Sequence, residues 1–226
     1  MRHIFLDTET TGLNANQGHR IIEIAAIEIV NRRPTNNSFH FYLNPDRDID
    51  PAAQEVHGIT LDFLKDKPRF NEIASDFIEF IKEATLIIHN APFDVGFINM
   101  ELGLIEKPTV ESIVANIIDT LKIAKDMRPG QRNSLDALCR FYNIDNSQRS
   151  LHGALLDAQL LAEVYLAMTR GQEDLMIDFQ YKGSDHFGEN NLNRPNNLFV
   201  LKASDDELKS HEAYLSKMKS DKKFIW

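Results

Sequence analysis

Two acids stand two residues apart near the start of the chain, in Phe5-Leu6-Asp7-Thr8-Glu9. Side chains alternate along an extended strand, so Asp7 and Glu9 project from one face at the end of the first expected strand. Like charges at that spacing repel unless something positive lies between them. An Asp-x-Glu there is also what an ordinary turn looks like, so the pair gains meaning only from its company. Asp94 follows Asn90-Ala91-Pro92-Phe93 at the start of an expected helix, where a carboxylate is favoured by the helix dipole alone. Asp157 is more telling. On a helix through Ala154–Ala162 it shares the apolar face with Gly153, Ala154, Leu160, Leu161 and Val164. A lone buried carboxylate is unfavourable, so Asp157 should be paired or bound to metal, with a salt bridge to an arginine as the explanation competing with the metal. His152 precedes it by five residues, about 140° of helical rotation, so the two cannot share one helix face. Gly153 permits a break, which puts His152 on the loop entering the helix. A histidine in a loop is ordinarily just solvated.

Taken together, these are four carboxylates from three separate places and one imidazole. Hard oxygen ligands without cysteine favour magnesium or manganese over zinc. The set suits a two-metal phosphodiester hydrolase, in which one ion lowers the pKa of an attacking water and the other stabilises the leaving oxygen. An imidazole at His152 is suited to take the water's proton.

The elements that must position these groups follow from pattern. Residues 3–6 and 21–30 are expected strands, the second rich in β-branched residues. Asn31–Asn37 is an expected turn and Ser38–Leu43 a third strand, giving an antiparallel meander. The period then changes: Phe70, Ile73, Ala74, Phe77, Ile78 and Ile81 recur at helical spacing. Leu86–His89 is a short apolar strand. Helices are expected from about Phe93 to Leu102 and onward to about Asn116, with a last strand at Ile117–Asp119. Further helices are expected at Leu121–Asp126, Leu135–Tyr142 and Gly153–Thr169. A meander followed by alternating helix and strand predicts an α/β fold with a mixed five-stranded sheet flanked by helices.

The 226 residues, 42% hydrophobic and 26% charged, are enough for one domain with a large core and an appendage. The single cysteine, Cys139, excludes a disulfide framework and a cysteine-based zinc site, and lies in an apolar helical stretch as a small hydrophobe. No signal peptide and no membrane-length apolar run are visible, so a cytoplasmic protein is expected. The net charge of −9 predicts weak attraction for a polyanion unless bound cations or a partner supply it; acidity also simply maintains solubility. Past Arg170-Gly171 the composition turns polar and aperiodic. The expected organisation is a domain over 1–172, a flexible linker over 173–203, and a docking helix and tail over 204–226. A capping box, Ser204-Asp205-Asp206-Glu207, opens that helix, which carries Leu208, His211, Leu215 and Met218 at three- and four-residue steps. The basic, aromatic end Phe224-Ile225-Trp226 completes a segment suited to a partner's groove.

Phe5–Leu13 resembles the first motif of the DEDDh 3′–5′ exonuclease family, His89–Asp94 the second, and His152–Ala158 the third, in its His-x4-Asp form. Val56-His57-Gly58-Ile59-Thr60 is similar to a further stretch typical of the group. The resemblance covers roughly residues 1–170 and is nearest to the proofreading subunits of bacterial replicative DNA polymerases. It implies a ribonuclease H-like fold, two divalent ions (Mg2+ or Mn2+) held by Asp7, Glu9, Asp94 and Asp157, and His152 as general base. It implies that Thr8, Thr10, Thr11 and Gly12 shape the pocket for a 3′-terminal nucleotide, with Asp7, Glu9 and Asp157 also at the substrate. Leu13 would wedge against the terminal bases, and His57 and Phe93 would line the pocket. The implied partners are DNA 3′ ends, single-stranded or frayed, and the polymerase (alpha) subunit through the C-terminal segment. The theta subunit and the sliding clamp are further candidates, the clamp through Gln172–Met176. The alternatives are a stand-alone trimming nuclease of ribonuclease T type and a non-catalytic assembly subunit.

Overall fold

The computed structural model describes residues 1–147, 149, 151–171 and 203–220. The chain divides into two units, one bearing a sheet with its helices and one bearing the last helix, and each is described by itself. Most of the expected linker, the Gln172–Met176 stretch and the Phe224–Trp226 end lie outside the described residues.

The first unit is an α/β fold on a five-stranded mixed sheet in the order β3-β2-β1-β4-β5. Strands β1 (Arg2–Thr10), β2 (Ile21–Val30) and β3 (Arg33–Tyr42) form the expected antiparallel meander. β4 (Thr85–Ile88) and β5 (Asn116–Asp119) run parallel to β1. Ile4, Phe5 and Leu6 are all fully buried, because helices cover both sheet faces and leave no strand face for polar residues. Ile4 and Leu6 pack with Phe77, Phe97, Ile98 and Leu102 of α3 (Phe70–Ile81) and α4 (Ala91–Leu104). Phe5 faces the other way, onto Leu138 and Cys139 of α7 (Leu135–Tyr142) and Leu160, Leu161 and Val164 of α8 (Ala154–Met168). Each such buried aliphatic side chain contributes roughly 1.5–3 kcal/mol. Alternation along β1 thus sends Asp7 and Glu9 to the Phe5 face, beneath α8.

Several boundaries differ from expectation. β1 continues through Thr10, so both acids lie within the strand. The β2–β3 turn shrinks from Asn31–Asn37 to Asn31 and Arg32, both left-handed at φ 50° and 64°, the backbone that lets a two-residue turn match the twist of its strands. Arg32 is held there by donating to Leu166 O at 2.9 Å and Thr169 Oγ1 at 2.9 Å, at the C-terminal end of α8. The helix expected to reach Asn116 is one turn, α5 (Val110–Ile113), and Asn116 already belongs to β5. Two helices were not legible: α1 (Pro51–His57) and α2 (Leu61–Leu64), too short to show a period. Helix α6 (Thr120–Met127) lies where expected.

In the second unit, α9 (Asp205–Ser220) begins with the expected capping box. Ser204 N donates to Glu207 Oε2 at 2.8 Å and Glu207 N donates to Ser204 Oγ at 3.3 Å. Leu208 and Tyr214 on it are exposed. Among the described residues no helix is long and apolar enough to cross a membrane.

Candidate active site

A cleft of about 990 Å³ opens over the C-terminal ends of β1 and β4. Asp7, Glu9, Asp94, Asp157 and His152 all line it. Asp7 and Glu9 come from β1, where Asp7 pairs with Ala25 and Glu9 with Glu23. A register shift after Glu9 ends the regular ladder, a bulge of the kind that re-aims a strand beside a site. Asp94 arrives from the first turn of α4. Its entry is set by Asn90, a left-handed helix cap at φ 70°, whose N–H donates to Asp119 Oδ1 at 3.1 Å. Asp157 sits in the first turn of α8, its N–H closing onto Gly153 O at 2.9 Å. His152 lies outside the helix, as expected, with its N–H on Val56 O at 3.1 Å and its side chain 44% exposed.

The carboxylates are crowded and desolvated. Burial, then the charges of Asp94, Asp157 and Glu9, push Asp7 well above the ordinary carboxylate range. Burial, with Asp157, Glu23 and Asp94 nearby, pushes Glu9 up to about 8. Burial raises Asp94 to about 7, although the Thr8 hydroxyl donates to its Oδ1 at 2.7 Å and favours the anion. Burial would raise Asp157 too, but hydrogen bonds with His152 and Arg149, and the arginine's charge, outweigh it and hold Asp157 low. The neighbouring Glu23 is compensated: His40 Nε2 lies 2.8 Å from its Oε1, and Ala154 N, at the start of α8, donates to its Oε2 at 3.2 Å.

Mutual repulsion among these crowded acids means the cluster gains most from added positive charge. Ligand atoms of Glu9, His152 and Asp157 all lie within 4.8 Å of one another. An oxygen-rich donor set of this kind fits a hard divalent cation.

The other residues singled out from sequence also line the cleft, except Thr11. Thr11 is fully buried, and its hydroxyl accepts from Arg20 N at 3.0 Å and meets His19 Nδ1 at 3.1 Å. Thr10 donates to Gly12 O at 2.7 Å, folding the loop tightly. Gly12 has no room for a side chain: a Cβ there would come within 2.3 Å of His19 Cε1 and 2.7 Å of Asp50 Oδ2. Leu13 stands 85% exposed at the rim. Phe93 packs against Phe97 in a tilted pair, 5.0 Å between centroids. His57 closes α1 with its Nδ1 accepting from Ile59 N at 3.0 Å. Among the described residues its Nε2 is the one buried side-chain polar atom without a partner.

Sequence reasoning missed Arg149, Asp136, Asp50 and His89, which also line the cleft. Arg149 supplies the salt bridge that stood as the alternative to metal at Asp157: Nε and Nη2 donate to its two oxygens at 2.5 and 2.7 Å. The signal was the acid itself; nothing in the spacing said which arginine would answer it.

The exonuclease family RNase_T matches residues 4–165. DNA polymerase III subunit epsilon of Escherichia coli (strain K12) is 50% identical over 223 residues, covering 95% of this chain and 92% of that protein. The Rickettsia felis protein of the same name is 48% identical over 221 residues, covering 96% of each. Among solved structures, exonuclease X in complex with 5′ overhanging duplex DNA aligns at a TM-score of 0.58 and 27% identity, over 76% of this chain and 92% of that one. The nuclease domain of 3′hExo, a DEDDh family member bound to rAMP, aligns at 0.63 and 18% identity, over 75% and 92%, and shows the shared fold. With its acids and imidazole gathered in one cleft of that fold, the chain belongs to the exonuclease family and, within it, to the DNA polymerase III epsilon subunits.

Proposed function

We propose that the chain is a 3′–5′ proofreading exonuclease that removes 3′-terminal nucleotides from DNA as nucleoside 5′-monophosphates. The observation that carries this is the convergence of Asp7, Glu9, Asp94, Asp157 and His152 on one cleft from two strand positions, two helices and a loop. Two divalent ions, Mg2+ or Mn2+, held by the four carboxylates, would supply an activated water, stabilise the leaving oxygen and neutralise substrate phosphate. That positive charge also answers how a chain of net charge −9 attracts a polyanion.

The protein's own groups do the rest. His152 accepts the proton of the attacking water as its oxygen bonds to phosphorus. The bond from phosphorus to the 3′-oxygen breaks, and that oxygen stays on the shortened strand as a hydroxyl by taking a proton from solvent, to which His152 later returns the one it accepted. Thr8 favours the ionised form of Asp94 by donating to it, against the burial that raises it. Thr10, Gly12, Leu13, His57 and Phe93 form the wall against which the terminal nucleotide rests. An unpaired end reaches this cleft at lower unpairing cost than a paired one, which is the basis of selectivity for mismatches. The names of the relatives support a polymerase complex as the setting. In it, the segment 204–226, with exposed Leu208 and Tyr214 on α9, would dock on the polymerase (alpha) subunit. The theta subunit and the clamp are further partners. The similarity over almost the whole chain favours this over a stand-alone trimming nuclease.

Oligonucleotides of DNA and RNA with matched and mismatched 3′ ends test the proposal. Faster removal of mismatched DNA ends, lost in chelator and in Asp7→Ala, is expected. Full activity in Asp7→Ala would sink the mechanism. Co-purification with polymerase should disappear on deletion after residue 180, and its persistence would remove the docking role.

A further inference from the structure

Metal ions in the cleft would neutralise the scissile phosphate and leave the phosphates behind it facing a chain of net charge −9. Several bases of the sheet-bearing unit are already paired with acids: Arg2 with Glu28, Arg20 with Glu101, Arg69 with Asp46, and Arg149 with Asp136 and Asp157. One stretch differs. Between Leu121 and Arg140 stand Lys122, Lys125, Arg128, Arg132 and Arg140 against two acids, Asp126 and Asp136, and Asp136 is held by Arg149. Among the described residues none of these five bases makes an ion pair.

The stretch starts at the cleft. Leu121, in the first turn of α6, lines it, and so does Ser134, the N-cap of α7. Lys125 and Arg128 follow Leu121 at steps of four and three, so they continue its side of the helix outward, about 6 and 10 Å farther along the axis. The buried amide of Asn133 ties the α6–α7 loop together. Its Nδ2 donates to Arg128 O at 3.3 Å and to Gln131 O at 3.1 Å, and Arg128 Nη1 donates to its Oδ1 at 3.3 Å. The Arg128 guanidinium also lies over the exposed ring of Phe141, 4.1 Å from the centroid, which covers one of its faces and fixes its position. Arg132 is exposed, two residues before Ser134. This side of the cleft follows β5, at the sheet's edge beyond β4, whereas Thr10, Gly12 and Leu13 end or follow β1.

We propose that Lys125, Arg128 and Arg132 form a landing track for a single strand, holding the phosphates on the 5′ side of the scissile one. Exposed bases free of acids attract a strand by displacing its counterions. Contacts to phosphate carry no sequence information, which suits an enzyme that must accept any 3′ end. Lys125 and Arg128, at successive distances from the cleft along one side of α6, meet successive phosphates, and Arg132 flanks the strand where it enters. The track thus favours substrates by the length of strand behind the scissile bond. This rests on the hydrolysis of 3′ ends, which the preceding section proposes.

The test compares two substrates in the full chain, as wild type, Lys125→Gln, Arg132→Gln and the double variant, with Mn2+ supplied. One is a thymidine dinucleotide, whose only phosphate is the scissile one; the other is an oligothymidylate long enough to run along α6. Each substitution should raise KM for the long strand about two- to fivefold with kcat unchanged. Each should also flatten the plot of log KM against log salt by roughly 0.7. Dinucleotide kinetics should not move. Lys107→Gln, at an exposed base just past α4, should leave both substrates unaffected. An unchanged salt slope in the double variant would overturn the proposal. So would an equal loss on the dinucleotide, which would place these bases at the scissile phosphate. Loss of co-purification with polymerase at an unchanged slope would overturn it in favour of a protein contact. Should wild type hydrolyse neither substrate, the exonuclease reading fails. Fluorescence anisotropy of the labelled long strand, with the same slope difference expected between wild type and double variant, then decides the track by itself.

Discussion

Replacing Glu9 by glutamine should stabilise the protein in chelator while abolishing its activity. Glu9 is nearly buried, and its carboxyl is pushed from an ordinary value near 4.5 up to about 8 by burial and by Asp157, Glu23 and Asp94. At about 1.4 kcal/mol per pH unit, that gap makes the ionised form unfavourable by roughly 5 kcal/mol. Glutamine must itself be buried with incomplete hydrogen bonding, so a net gain of about 2–3 kcal/mol is expected. The sign follows from proton linkage. Below pH 4.5 folded and unfolded chains both hold the proton. Between about 4.5 and 8 the unfolded chain releases it and the folded chain does not, so this contribution to stability is lost as pH rises and is flat above 8. The measurement is thermal unfolding of wild type and Glu9→Gln in chelator from pH 4.5 to 9. The two should diverge with rising pH, until the variant melts roughly 5–10 °C higher at pH 8. Mg2+ or Mn2+ should then raise wild type more than the variant. Parallel profiles, or a variant less stable at pH 8, would refute the account of charge crowding.

Three further substitutions probe the supports of the site. Thr8→Val removes the charge-assisted bond to Asp94, costing roughly 1.5–3 kcal/mol, and should move the acidic limb of the pH–rate profile upward; an unmoved limb would mean Asp94 is not the group that titrates there. Gly12→Ala drives a Cβ into His19 and Asp50 and should cost roughly 1–3 kcal/mol in urea unfolding, with partial recovery in the double variant with His19→Ala; no recovery would place the clash elsewhere. Phe77→Ala empties a fully buried position beside Phe39 and Phe70 and should cost roughly 3–5 kcal/mol with the shape of the pH–rate profile unchanged.

What was legible in the sequence was what a period can encode. β2 and α7 have their expected bounds because β-branched alternation and helical spacing run their full lengths. The face on which Asp157 lies followed from its apolar neighbours, and the buried acid found there is 3% exposed. Helices α1 and α2 were hidden because seven and four residues hold too few turns for a pattern. The early start of β3 was hidden because its first residues are exposed and polar, and two left-handed residues were enough to turn the chain. In the site, Asp157 could be found because burying a charge is unusual anywhere, while Asp7, Glu9 and Asp94 gained meaning only from its company and from the motifs they sit in. Thr11 could not be told from Thr10, since the direction of a hydroxyl depends on a loop that closes through Arg20 and His19. Arg149 lay in a polar loop, and its three partners lie between three and thirteen positions away, in two helices and the loop itself.

Helix α8 is held at both ends by one hairpin. Glu23 of β2 takes the N–H of Ala154 at its start, and Arg32 of the β2–β3 turn takes Leu166 O near its end. The number of residues between those two grips is therefore set by the spacing of the grips, at about 1.5 Å of rise per residue. One residue added or removed between Ala154 and Leu166 would turn Asp157 or the far end by about 100° and unfasten one grip. The exposed loops of this unit can lengthen over evolutionary time at little thermodynamic penalty. The interior of α8 cannot change length at all, so substitutions should accumulate there freely on the outer face while insertions and deletions are purged.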